Sequence, residues 1–234
     1  MTNAQKPLIV AGGGVHYSQA TETLRAFSET FGIPVSETQA GKSAMSWKDP
    51  MSVGAVGVTG TSAANLLAKA ADVVLVVGSR LQDFTTASKQ IFASDVKLLH
   101  LNVSKFDGLK MDSIMLQADA KSGLESLSEE LRKAKFQTSA EYRGCVSQLQ
   151  SEWNAEVDRL YNLTSEEGNV QTSIVGTLNE FMAPEDVVLC AAGSLPGDLH
   201  RLWRSEIPKT YHMEYGYSCM GYEVAGGLGA KMAM

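Results

Sequence analysis

Asp72-Val73-Val74-Leu75-Val76-Val77-Gly78 is the stretch that decides the fold. Its apolar core is too short for a helix, is dominated by β-branched valine and is closed by glycine. The apolarity is continuous rather than alternating. Both faces of such a strand are covered, which marks a parallel sheet between two helical layers. The same pattern recurs on either side. Pro7-Leu8-Ile9-Val10-Ala11 reads as a buried strand closed by Gly12-Gly13-Gly14. A helix follows, with Ser18 as its expected N-cap and Leu24, Phe27 and Phe31 on one face. Gly32-Ile33-Pro34 stops it, and Pro34-Val35-Ser36 opens a second strand. Ser62 to Ala71 reads as a helix, Lys97 to Asn102 and Ser113 to Gln117 as strands, and Lys121 to Lys133 as an amphipathic helix. Residues 7–134 are therefore expected to form a doubly wound α/β domain of about six parallel strands.

The character changes after Lys133. A polar, aperiodic stretch to Thr138 leads into a charged helix from Ser139 to Tyr161, about 33 Å long at ~1.5 Å per residue. Leu149, Trp153, Val157 and Leu160 keep one of its faces apolar, as a bridging helix requires. A second α/β unit begins near Asn169, with a helix over Val170 to Phe181 and a strand over Asp186 to Cys190. Gly193-Ser194-Leu195-Pro196-Gly197 then reads as a turn before a helix starting near Leu199. Residues 221–234 are helix-like but apolar nearly all round, which suits the inside of a larger core. One convincing strand with its helices makes no independent sheet, so this unit is expected to be truncated, a piece of a longer protein. Its apolar face is expected to drive self-association.

The 234 residues are 44% hydrophobic and 20% charged, ordinary values for a globular protein. The net charge of −6 argues against a nucleic-acid partner. No apolar run approaches the ~20 residues of a membrane span, and residues 1–6 form no secretory leader, so a cytoplasmic location is expected. Cys145, Cys190 and Cys219 have neither disulfide nor zinc spacing and are expected to be buried, reduced thiols.

Three long stretches carry a resemblance: Ala11-Gly12-Gly13-Gly14-Val15-His16-Tyr17-Ser18, Ala192-Gly193-Ser194-Leu195-Pro196-Gly197-Asp198-Leu199-His200, and Met213-Glu214-Tyr215-Gly216-Tyr217-Ser218-Cys219-Met220-Gly221-Tyr222-Glu223. With them the chain resembles the thiamine-diphosphate-dependent enzymes of the acetohydroxyacid synthase type over nearly its whole length. The resemblance implies a central domain over 1–134, a linker helix and loop over 135–168, and the N-terminal part of the diphosphate-binding domain over 169–234. Within the family, the stretches resemble members that cleave a C–C bond of a cyclic trihydroxy-1,2-diketone in myo-inositol catabolism, giving 5-deoxyglucuronate. For the complete enzyme this implies thiamine diphosphate and Mg²⁺, a small-molecule diketone substrate, and a homo-oligomer with the cofactor between subunits. The family's catalytic glutamate belongs to its pyrimidine domain, upstream of these residues. Gly197-Asp198-Leu199 is not the family's Gly-Asp-Gly metal signature. No catalytic residue and no metal ligand is therefore expected here, and the chain alone is expected to be inactive.

A turn between a strand's C-terminal end and a helix is a natural anion site. The resemblance assigns Gly193, Ser194, Leu195, Pro196 and Gly197 to the cofactor diphosphate, with backbone amides and the Ser194 hydroxyl as donors. It assigns Met220 as the apolar fulcrum under the two rings, and the Ser218 carbonyl and Met220 amide, flanking Cys219, to the pyrimidine edge. Gly12-Gly13-Gly14 lacks dinucleotide spacing, because Tyr17 stands where a third glycine would be. Acetohydroxyacid synthases hold FAD partly through this loop and an arginine matching Arg80; diketone ring opening needs no flavin, and FAD is not expected. His16, His100, His200 and His212 have no metal-ligand spacing, and His200 is the candidate to face the site. Two alternatives stand beside this reading. One is an acetolactate-synthase-like thiamine enzyme with FAD; the other is a non-catalytic nucleotide-binding α/β module.

Overall fold

The computed structural model describes residues 1–166, 168–214, 216–217 and 219–233. Six strands form the principal sheet: β1 (Pro7–Ala11), β2 (Val35–Glu37), β3 (Ser52–Ala55), β4 (Val73–Val77), β5 (Lys97–Asn102) and β6 (Ile114–Gln117). They lie in the order β3-β2-β1-β4-β5-β6, all parallel. The order reverses between β1 and β4, which is the signature of the doubly wound arrangement.

The continuous apolarity of β1 and β4 resolves into two faces. Ile9, Ala11, Leu75 and Val77 point into one core with Leu24, Phe27, Phe31 and Leu124. Leu8, Val10, Val74 and Val76 point into the other with Leu67, Tyr142 and Val146. Each such side chain contributes ~1.5–3 kcal/mol on full burial. The first core is covered by α2 (Thr21–Phe31) and α6 (Ala120–Lys133), the second by α3 (Ser62–Ala70) and the first half of α7 (Ala140–Tyr161). Local chemistry fixes the helix ends. Thr61, Asp119 and Ser139 accept backbone N–H groups at the starts of α3, α6 and α7, and Gly32 ends α2 in the left-handed region at φ 65°.

Ser18 does not cap α2. It follows a single helical turn, α1 (Gly14–Tyr17), and its hydroxyl accepts the Ala120 N–H at 3.3 Å, so it serves the start of α6. β3 and the short helices α4 (Asp83–Thr86) and α5 (Lys105–Leu109) carry no run or period long enough to be read locally. Cys190 is buried, but Cys145 and Cys219 are exposed, contrary to expectation.

The second unit comprises α8 (Gln171–Phe181), β7 (Val188–Cys190), α9 (Leu195–Leu202), β8 (Tyr211–Met213) and α10 (Tyr222–Ala233). β7 and β8 pair in parallel, Val188 beside Tyr211 and Cys190 beside Met213. The unit thus holds two strands where one was expected; Tyr-His-Met has no aliphatic run to announce β8. Its core gathers Val157 and Tyr161 of α7 with Val175, Leu199, Leu202, Trp203 and Tyr211. α7 is therefore shared, and Trp153 packs against both this core and the second core of the large sheet. α10 has no buried residue. No helix among the described residues is long and apolar enough to cross a membrane.

Candidate functional site

β7 delivers the chain to the site. After Cys190 and the buried Ala191, Gly193 turns it at φ 103°, a conformation open to glycine at little cost. A Cβ at Gly193 would meet nothing within 4 Å, so a branched side chain there would be strained by the backbone alone. Leu195-Pro196-Gly197, expected as the end of a loop, is instead the first turn of α9, with proline at the helix start where its missing N–H costs nothing. The Gly197 and Asp198 amides both reach the Ser194 carbonyl, at 3.0 and 3.3 Å. The Ser194 side chain makes no cap. That leaves the amides of Gly193, Ser194 and Leu195 and the Ser194 hydroxyl as donors at the positive end of an eight-residue helix. Asp198 is turned aside, held by Gln171 Nε2 at 2.6 Å and Arg201 at 2.8 Å.

The turn borders a cleft of about 840 Å³. Gly193, Ser194, Pro196 and Gly197 form one wall with Gly216 and Tyr217; residues 81–84, Lys89, Lys110 and Met111 of the large domain form the other; Gln39 and Thr59 lie between. The structure thus brings four of the five predicted turn residues to one opening. Leu195 lies beside it with 43% of its surface exposed. Cys219 and Met220 are exposed and do not line the cleft. Ser218 lies outside the described residues. Glu214 holds Tyr217 and Cys219, its two carboxylate oxygens accepting their amides at 3.0 and 2.8 Å. Those donors favour the ionised carboxylate and hold its pKa below the usual glutamate value.

His200 does not face the cleft. It is 1% exposed, and its Nδ1 shares a hydrogen bond with the Thr59 hydroxyl at 2.9 Å. Its Nε2 has no hydrogen-bond partner of good geometry among the described residues. Burial, then the Lys42 charge, pull its pKa down to about 3. Beneath it lies a buried pair. Burial pushes the Glu37 carboxyl up and the Lys42 ammonium down, while each charge partly supports the other. Glu37 accepts the Met45 amide at 2.8 Å, and the Lys42 ammonium stands 5.7 Å from the centre of the Tyr211 ring.

A second cavity, about 470 Å³, opens at the switch point between β1 and β4, with Gly13, Ser79, Arg80 and Asn102 among its residues. The glycine run here is a packing device. A Cβ at Gly14 would lie 2.6 Å from the Gly78 Cα, and the Gly12 and Gly14 amides already bond the Val77 and Gly78 carbonyls at 2.8 and 2.9 Å. The loop therefore has little left with which to cradle a phosphate.

The turn amides without a partner among the described residues, beside a cleft of this volume, fit a diphosphate. No group of three His, Cys, Asp or Glu side chains able to hold an ion occurs among the described residues.

Sequence reasoning missed Gln39, Thr59 and Tyr211. Gln39 touches the turn at Pro196, 157 positions away, and Thr59 bonds His200 of α9, 141 positions away; no local spacing signals either.

Comparisons with known proteins point to a family. Residues 1–127 match the model described as "Thiamine pyrophosphate enzyme, central domain". Residues 191–234 match "Thiamine pyrophosphate enzyme, C-terminal TPP binding domain". The chain is similar to the 3D-(3,5/4)-trihydroxycyclohexane-1,2-dione hydrolase of Clostridium tetani (strain Massachusetts / E88), 44% identical over 98% of this chain and 39% of the relative. A protein of the same name from Bacillus cereus (strain AH820) is 45% identical over the same shares. The chain thus spans about two fifths of the length of these curated relatives.

Proposed function

The chain belongs to the thiamine pyrophosphate enzyme family, and from that membership we propose that it is the cofactor-anchoring part of a hydrolase that cleaves a C–C bond of a cyclic trihydroxy-1,2-diketone in inositol catabolism. The division at 1–134, 135–168 and 169–234, the homo-oligomeric state, Mg²⁺ in the complete enzyme and a cytoplasmic location belong to the same reading. The observation that carries it is the Gly193–Gly197 turn, with three amides unpaired among the described residues and a hydroxyl beside a cleft of about 840 Å³. The substrate class rests on the names of the similar proteins.

When bound, thiamine diphosphate supplies a thiazolium carbon acid that serves as electron sink for breaking a bond beside a carbonyl. Gly193, Ser194 and Leu195 would donate to the diphosphate, and the α9 dipole would favour its charge. The same reading gives Met220, with Ser218 and Cys219, to the cofactor rings; Met220 and Cys219 are exposed and do not line the cleft, so these contacts would be made from outside it. No catalytic residue is assigned within these residues. Hydrolysis of a 1,2-diketone puts hydroxyl on one carbonyl carbon and hydrogen on the other. The expected product is a carboxylic acid that retains an aldehyde.

Amide NMR of the chain tests the site. At millimolar thiamine diphosphate, the Gly193, Ser194 and Leu195 signals are expected to move, with weak affinity because Gly197-Asp198-Leu199 is not the family's metal motif. Shifts confined to Gly12–Gly14, or sub-micromolar binding, would overturn the placement. In the complete enzyme, ring opening without flavin supports the reading; tight stoichiometric FAD beside Arg80 would favour an acetolactate-synthase-like enzyme.

A further inference from the structure

Pro196 and the Ser194 carbonyl start α9, but nothing within the turn ties that start to the rest of the molecule. Gly193 is unconstrained, Ser194 makes no cap, and the donors that make the site attractive to an anion are exposed. The restraint comes from the other domain. Gln39 sits on a 3-10 turn, Gln39–Gly41, directly after β2; the Thr38 hydroxyl accepts the Gly41 amide at 3.2 Å and closes that turn. Gln39 is 7% exposed, and its carboxamide is used at both ends. Oε1 accepts the Tyr211 hydroxyl at 3.0 Å; Nε2 donates to the Pro196 carbonyl at 3.2 Å. The Tyr211 oxygen in turn accepts the Cys190 thiol at 3.3 Å. Tyr211 and Cys190 are 6% and 3% exposed. A buried hydrogen-bonded chain thus runs from the end of β7, through β8, into the large domain and back to the first turn of α9. Buried polar groups are costly unless paired, so each member holds the next in one geometry.

We propose that Gln39 is the positioning residue of the anion-binding turn, registering the start of α9 against the large domain through Pro196 and against β8 through Tyr211. The identity of the anion rests on the function proposed above; the positioning does not. Gln39 touches no ligand in this account. It acts by fixing the carbonyl of Pro196, three residues beyond Gly193. A glutamine suits the task because it donates and accepts at once; glutamate would keep the Tyr211 contact and lose the donor to Pro196.

Hydrogen exchange of the chain, without cofactor, tests this. Gln39→Leu is expected to speed exchange of the Gly197 and Asp198 amides about tenfold, with the amides of β1 and β4 unchanged, as for local opening. Tyr211→Phe removes only the far end of the relay and is expected to loosen the same amides, although it touches none of them. Titration with inorganic pyrophosphate, followed at the Gly193–Leu195 amides, is expected to weaken about tenfold in both variants, ~1.4 kcal/mol. Unchanged exchange at the turn in Gln39→Leu, or equal acceleration throughout the chain, would overturn the proposal. So would a Tyr211→Phe turn that exchanges like wild type, and that variant decides the matter if Gln39→Leu does not fold. If exchange behaves as expected while pyrophosphate moves no signal even in the wild type, the positioning stands and the cofactor assignment falls.

Discussion

His200 shows what a buried neutral imidazole does to a protein's response to acid. Its folded pKa of about 3 lies below the ordinary 6.5, so on acidification the unfolded chain takes up the proton first. Stability from this group is complete above about pH 6.5 and drains away as the pH falls toward 3. Between pH 7 and pH 5 the loss is about 2 kcal/mol. His16 and His100, both lowered by burial, act in the same direction, and Glu37, raised by burial, acts against them. A comparison with His200→Gln therefore isolates the one residue. Chemical denaturation is expected to show a wild-type stability that falls more steeply from pH 7 to pH 5 than the variant's. Equal slopes would mean that the imidazole takes up its proton without cost. The sequence offered no route to this role. A histidine among Leu199, Arg201 and Leu202 reads as readily toward a site as toward a core, and Thr59 settles it from the turn between β3 and α3.

At the scale of elements, legibility followed periodicity. β1, β4, α2, α6 and α7 have runs or stripes that survive without their neighbours, and their positions were plain in the sequence. β3, with Gly54 at φ 75°, and β8, three residues long, exist because adjacent strands supply their hydrogen bonds. The anion turn was legible as a place and misread as a shape: Gly-Ser-Leu-Pro-Gly looks like a loop, yet proline and Ser194 start a helix within it. α10 was legible as apolar, and its surroundings were not. Val224, Leu228 and Met232 are 81%, 63% and 79% exposed, a patch that a lone chain rarely leaves to water. We expect the chain to self-associate through it. Light scattering should give a mass above that of one chain, and Val224→Glu with Leu228→Glu should return it to one. A wild-type chain that scatters as a monomer at high concentration would contradict this.

The molecule as a whole is organised around three apolar clusters, and α7 enters two of them. Its early residues Tyr142 and Val146 close the large sheet, its late residues Val157 and Tyr161 found the smaller core, and the Tyr142 hydroxyl donates to the Pro7 carbonyl at 2.9 Å. The β7–β8 ribbon is too small to stand alone, since an isolated strand pair is marginal in water. It survives by leaning on a rod that the larger half already pins. Neither half can melt while the other keeps the rod straight. Scanning calorimetry should therefore record one endotherm, with calorimetric and van't Hoff enthalpies in agreement. Trp153→Ala, at the rod's midpoint, should split that peak; two peaks in the wild type would mean that the rod bends there as a hinge, and that heat, like a partner, could swing the smaller half free.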